Sequence, residues 1–184
     1  MARADESPEK LDALYAAKAS AEVAAADRLA PGSDTVASSG ALIAEVALVK
    51  GLAGPAEASG GRALSGADGE ALAKALAALG HNPEAAFRTL SRPDSSVDAD
   101  ARAARLRGQL EAVDAPLVIA LDAQAAEDVA AAFGIPVPPF GTAVVACGRR
   151  IVAIDGFEAS LEDEGAKKRV WQQLRAATPP GPVF

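Results

Sequence analysis

One cysteine and one histidine in 184 residues remove several kinds of chemistry at once. Cys147 has no partner for an intramolecular disulfide, and the chain cannot supply the cysteines of a zinc or iron–sulfur site. His81 alone cannot make a His-rich metal site, so neither a metal nor another cofactor is expected. Aromatics are scarce at 4%, leaving Trp171, Tyr15 and five phenylalanines to anchor a core of Ala, Val, Leu and Ile. No apolar run approaches the roughly 20 residues that span a bilayer. The charged start, Met1 to Lys10, lacks the apolar centre of a signal peptide. A cytoplasmic protein that avoids membranes is expected. Eighteen basic against twenty-five acidic side chains, net −7, disfavour nucleic acid as a partner and leave a small ligand or another protein.

What is present suffices for one domain: half the residues are apolar. Ser7-Pro8-Glu9 is a helix start, predicting a helix to about Leu29 anchored by Leu11, Leu14 and Tyr15 and stopped by Pro31-Gly32. Residues 41–49 read as a strand interrupted by Glu45, followed by a Gly-rich loop from Gly51 to Gly69. Asp68 then caps a helix to Leu79 that is closed by Gly80. A short strand covers Phe87 to Leu90, and Arg92-Pro93 opens a polar loop through Ser96. A helix from Asp98 to Val113 turns Leu106 and Leu110 inward, with Arg102, Arg105 and Arg107 around the rest. Leu117 to Leu121 is uniformly apolar and reads as a buried strand, after which Asp122 caps a helix to Phe133. Ala143–Cys147 and Ile151–Ile154 read as strands, with Cys147 a small buried residue. A last helix runs from Asp163 to Ala177, ahead of a Pro-rich tail. The alternation predicts a three-layer α/β/α sandwich with a mainly parallel central sheet. The expected organisation is an N-terminal helix and linker (1–35), the main domain (36–177) and the tail (178–184).

Ligands of such folds sit at the carboxyl ends of strands. Asp155 and Glu45 are the candidate acid/base residues, and Asp122 shares that position, although strand-end acids also serve as caps and turns. The Gly-rich loop has no Lys-Ser/Thr of a P-loop and no Gly-x-Gly-x-x-Gly, so it fits a tight crossover better than a phosphate cradle. Arg62 and Arg92 are the candidates for one phosphate contact. The basic cluster Arg149, Arg150, Lys167, Lys168 and Arg169 is offset by the acids between.

Gly61-Arg62-Ala63-Leu64-Ser65-Gly66-Ala67-Asp68-Gly69 resembles the Gly-Arg-Pro-Phe-x-Gly-x-x-Gly motif of the uracil-DNA glycosylase superfamily, iron–sulfur type. Ser91-Arg92-Pro93 resembles its Cys-Arg-Pro, and Pro116 to Leu121 with Ala125-Ala126 resembles its Pro-x-Val-Ile-x-Leu-Gly-x-x-Ala. Lys167, Trp171 and Leu174 resemble its closing helix, so the similarity runs over residues 36–177. The resemblance implies that fold, and a ligand site drawing on Gly51, Gly54, Arg62, Leu64, Ser91, Arg92, Gly156 and Phe157.

It also implies lost chemistry. Gly51 stands where the family has the Glu that helps to place the hydrolytic water, and Leu64 replaces the Phe that stacks on uracil. No Asn lies between Glu84 and Pro93 to read the pyrimidine edge. Gly156-Phe157-Glu158 stands for His-Pro-Ser, whose His would stabilise developing negative charge. Three of the family's four cluster cysteines cannot exist in this chain, so no iron–sulfur cluster is expected. The expected function is a glycosylase-like module without base excision that binds a ligand or partner through a pocket including Leu52, Leu64 and Phe157. The alternatives are a divergent active DNA glycosylase or repair hydrolase, and a scaffold that self-associates through its first helix.

Overall fold

Three helices of this chain start on an aspartate. In the computed structural model, which describes residues 8–32, 36–94 and 97–178, Asp98 accepts N–H bonds from Asp100 and Ala101, each at 3.0 Å. Asp122 accepts from Ala125 at 2.8 Å, and Asp163 accepts from Ala166. Each carboxylate satisfies amides that the first turn leaves unpaired. In chain order the elements are α1 (Pro8–Asp27), β1 (Ser39–Gly40), β2 (Val46–Lys50), α2 (Pro55–Ala58), α3 (Ala67–Ala78), β3 (Ala86–Leu90) and α4 (Ala99–Val113). There follow β4 (Leu117–Ala120), α5 (Ala123–Phe133), β5 (Ala143–Ala146), β6 (Arg149–Ala153), α6 (Phe157–Ser160) and α7 (Glu164–Leu174). The expected cap Ser7, the loop end at Ser96 and the stretch after Thr178 lie outside the described residues.

The strands form one sheet in the order β1-β3-β2-β4-β6-β5. It is mixed rather than mainly parallel. The four inner strands run parallel, while β1 and β5 pair antiparallel at the two edges. Alternate residues of the inner strands feed two cores. Ala47, Val49, Val118, Ala120, Ile151 and Ala153 join Leu106, Leu110, Val129 and Phe133 of α4 and α5. Val46, Leu48, Ile119, Val152 and Ile154 join Leu72, Leu76, Val170 and Leu174 of α3 and α7. Burial on both faces explains why Leu117–Ala120 is apolar throughout.

α1 lies on α4 but not through the expected face. Ala19, Val23 and Ala26 are buried, whereas Leu11, Leu14 and Tyr15 are 41%, 59% and 55% exposed. Small residues permit a close approach here: a Cβ added at Gly108 of α4 would sit 2.9 Å from Ala26 Cβ. Arg105, expected on the outer surface, is fully buried. Its Nε donates to Asp27 of α1 at 2.9 Å and its Nη1 to the Leu90 carbonyl at 2.9 Å. Burial lowers the Arg105 pKa, and the Asp27 carboxylate opposes that shift.

Four further expectations change. Residues 41–45 are irregular, and Glu45 is exposed ahead of β2. The Gly-rich loop contains α2 and the start of α3. Gly66, not Asp68, is the N-cap of α3, and Asp68 is buried in its first turn. Cys147 is exposed at φ +49° in the β5–β6 turn, beside Gly148 at +75°, where both central residues of a tight hairpin adopt left-handed backbone.

Candidate functional site

The parallel strands turn their carboxyl ends to one side, and the connection order reverses between β2 and β4. The chain leaves β2 for β3 on one flank and then crosses to β4 on the other. Such a reversal opens a crevice at the strand ends. A cavity of about 200 Å³ occupies it. Leu52, Leu64, Leu121 and Phe157 supply apolar wall, while Lys50, Asp68, Asp122 and Glu158 supply charge.

Lys50 is the last residue of β2, two positions beyond Leu48 and therefore on the α3/α7 face. Only 5% of it is exposed. Its ammonium contacts Asp68 Oδ2 at 2.7 Å, Glu158 Oε2 at 2.9 Å and Glu57 Oε2 at 3.4 Å. Glu57 also accepts the amides of Gly54 (3.0 Å) and Leu64 (2.8 Å), and Asp68 accepts that of Gly69 (2.9 Å). Burial pulls the Lys50 pKa down, but the hydrogen bonds to Asp68 and Glu158 and the charges of Asp68 and Glu57 hold it above the usual 10.5. The group stays an ammonium at neutral pH and offers no amine nucleophile.

The sequence candidates divide. Leu52, Leu64, Gly156 and Phe157 line the cavity. Gly54 borders it for a steric reason: a Cβ there would lie 2.5 Å from Glu158 Oε1 and 2.6 Å from Lys50 Nζ. Gly51 donates its N–H to Asp122 Oδ2 at 2.7 Å, so the Asp122 carboxylate both caps α5 and fixes the loop after β2.

Ser91 and Arg92 serve a different purpose. Ser91 Oγ donates to Asp128 Oδ2 at 2.6 Å, and Arg92 grips the same carboxylate through Nε (2.7 Å) and Nη2 (3.1 Å), fastening the end of β3 to α5. The Asp128 hydrogen bond raises the Arg92 pKa. Arg62 borders another cavity, between α1 and β1.

Asp155 is exposed and lies outside the strand-end cavity lining, its backbone N–H donating to Gln173 Oε1 at 2.8 Å. Glu45 stands at the amino end of β2, roughly 16 Å of strand from its carboxyl end. His81 is half-buried and donates from Nε2 to the Ala177 carbonyl at 3.0 Å. The late basic residues disperse: Arg149 pairs with Asp114 at 2.7 Å and stacks 5.8 Å from the Phe133 ring centre, while Lys167 pairs with Glu164.

Sequence reasoning missed Lys50, Glu57 and Asp68. The available signal was the strand period: a lysine two residues after Leu48 continues a buried face and therefore needs carboxylate partners.

Among the described residues, no group of three His, Cys, Asp or Glu side chains is arranged to hold a metal ion. The iron–sulfur cluster of the resembled family does not fit, because the single cysteine lies on the β5–β6 turn. No helix among the described residues is long and apolar enough to cross a membrane. No protein-family model matches the chain, and no curated protein matches its sequence.

Proposed function

We propose that this chain is a uracil-DNA glycosylase-like domain without base-excision chemistry, whose strand-end cavity binds a small single-ring ligand carrying positive charge. The observation that carries the reading is the cavity itself. Its walls are apolar, and its polar lining sets three carboxylates, Asp68, Asp122 and Glu158, against one ammonium, Lys50. A cavity of about 150 Å³ already accommodates a benzene ring, so about 200 Å³ suits one ring with a polar substituent. Surplus negative charge in a partly desolvated site attracts a cation and repels the phosphates of a DNA strand.

The resemblance supports the same reading. Leu64, Gly156 and Phe157 stand for motif residues of the family's site, and all three line this one cavity. At these positions the chain offers apolar surface and bare backbone in place of a stacking ring and an imidazole. Each carboxylate beside the cavity also holds a structural bond, Asp68 and Glu158 to Lys50 and Asp122 to two backbone amides. None therefore stands as a free general base, yet each keeps lone pairs for a cation.

Benzamidine and benzoate test the reading, because they present one ring with opposite charges. In amide NMR titrations of the full chain, benzamidine should shift the signals of Gly156 and Phe157, and benzoate should not. Leu52→Trp, at the cavity mouth, should abolish the response. Tighter binding of benzoate, or no response to benzamidine, would sink the proposal.

A further inference from the structure

A second cavity, of about 270 Å³, lies on the other side of the sheet between α1 and the β1 edge. Val23, Leu42 and Phe87 give it an apolar floor, and Ser20, Ser38, Ser39, Asp27 and Arg62 give it a polar rim. Two opposite charges in one small concavity restrict the ligands it can hold.

Asp27 is the last residue of α1, where the helix dipole disfavours an acid. It is held there from behind. Arg105 Nε and Gln109 Nε2 both donate to Oδ1, at 2.9 and 2.8 Å, and Gln109 is fixed in turn by Thr89 Oγ1 at 2.7 Å. No described residue donates to the other oxygen, and the side chain is 35% exposed. The carboxylate is thus rigidly placed with one oxygen still available. Arg105 carries a buried Nη2 that has no partner among the described residues, so this polar network is not closed by the protein alone.

Arg62 provides the complement. Its side chain is exposed, and its guanidinium has no partner among the described residues. Ser39 Oγ donates to the Ala63 carbonyl at 2.9 Å, which leaves its lone pairs available to accept.

We infer that the α1–β1 cavity binds a free α-amino acid, its ammonium on Asp27 and the serine hydroxyls, its carboxylate on Arg62, and an apolar side chain on Val23, Leu42 and Phe87. A zwitterion matches this wall better than either single ion does. An anion alone engages only Arg62 and a cation alone only Asp27, whereas a zwitterion makes both charge-assisted contacts. The site is separate from the strand-end cavity and does not depend on what that cavity binds.

The test is an amide NMR titration of the full chain with each standard amino acid. The tightest-binding amino acid is then compared with its deaminated acid and its decarboxylated amine (isovalerate and isobutylamine for valine), which each keep one of its charges. At least one amino acid should shift Asp27, Ser39 and Gly40 while Gly156 and Phe157 stay unmoved. The half-molecules should bind roughly tenfold more weakly or worse, a loss of about 1.4 kcal/mol. Arg62→Gln should weaken binding by a similar factor, and Ser20→Leu, which fills the cavity, should abolish it with the remaining spectrum unchanged. The inference is overturned if no amino acid shifts these signals, if either half-molecule binds as well as the whole amino acid, or if Arg62→Gln has no effect.

Discussion

Lys50 is the residue on which the strand-end site turns. Its ammonium is enclosed by Asp68, Glu57 and Glu158, of which only Glu158 reaches solvent to any extent. Removing one partner of a buried ion cluster typically costs about 3–5 kcal/mol, because the remaining charges stay desolvated. Lys50→Met is therefore expected to lower stability by about that amount in urea unfolding. The pH dependence follows from the direction of the shift. The Lys50 pKa is raised in the folded protein, so its contribution is complete below the ordinary value of 10.5 and disappears as pH rises through the higher folded value. The stability difference between native chain and variant should accordingly hold through neutral pH and narrow only on the alkaline side of 10.5. A gap that already narrows at neutral pH would contradict the raised pKa.

Among the elements, α1 is attached by close packing on α4 and one polar link. Its alanine-rich second half fits against Gly108 of α4, and Arg105 joins its last residue to the end of β3. Arg105→Met should raise amide exchange in α1 roughly tenfold or more, since hydrogen bonds to charged groups contribute about 1.5–3 kcal/mol each. Protection in β2 and β4 should be unaffected. An equal loss of protection in the sheet would show that Arg105 supports the whole core rather than the attachment of α1.

These same elements show what was legible in the sequence. Asp98, Asp122 and Asp163 announce their helices because a cap is a local interaction, and the apolar run at Leu117 announces a strand buried on two faces. The face of α1 was not legible. Leu11, Leu14 and Tyr15 look like anchors, but close packing on α4 selects the small residues Ala19, Val23 and Ala26 instead. Edge strands β1 and β5 turned the sheet from mainly parallel to mixed, because antiparallel pairing at an edge depends on neighbours distant in the chain. At the site, Leu52, Leu64, Gly156 and Phe157 could be named in advance. The Lys50 cluster could not, since its acids come from α2, α3 and α6 and meet only after folding.

Across the whole molecule, charge and topology agree. The net charge is −7, and the strand-end crevice adds its own acidic surplus where a nucleic-acid enzyme would present cations. The crevice nevertheless lies at the reversal of strand order, where α/β sheets hold ligands. The proposed binding domain, with a ligand place but no base-excision reaction, would account for both observations. Its central claim meets its most direct test in uracil excision from a labelled single-stranded oligonucleotide at high protein concentration, read as alkali-sensitive strand breaks. The account predicts no breaks above a protein-free control. Breaks that require the protein and vanish in Asp122→Asn would contradict it and identify the strand-end crevice as an active site.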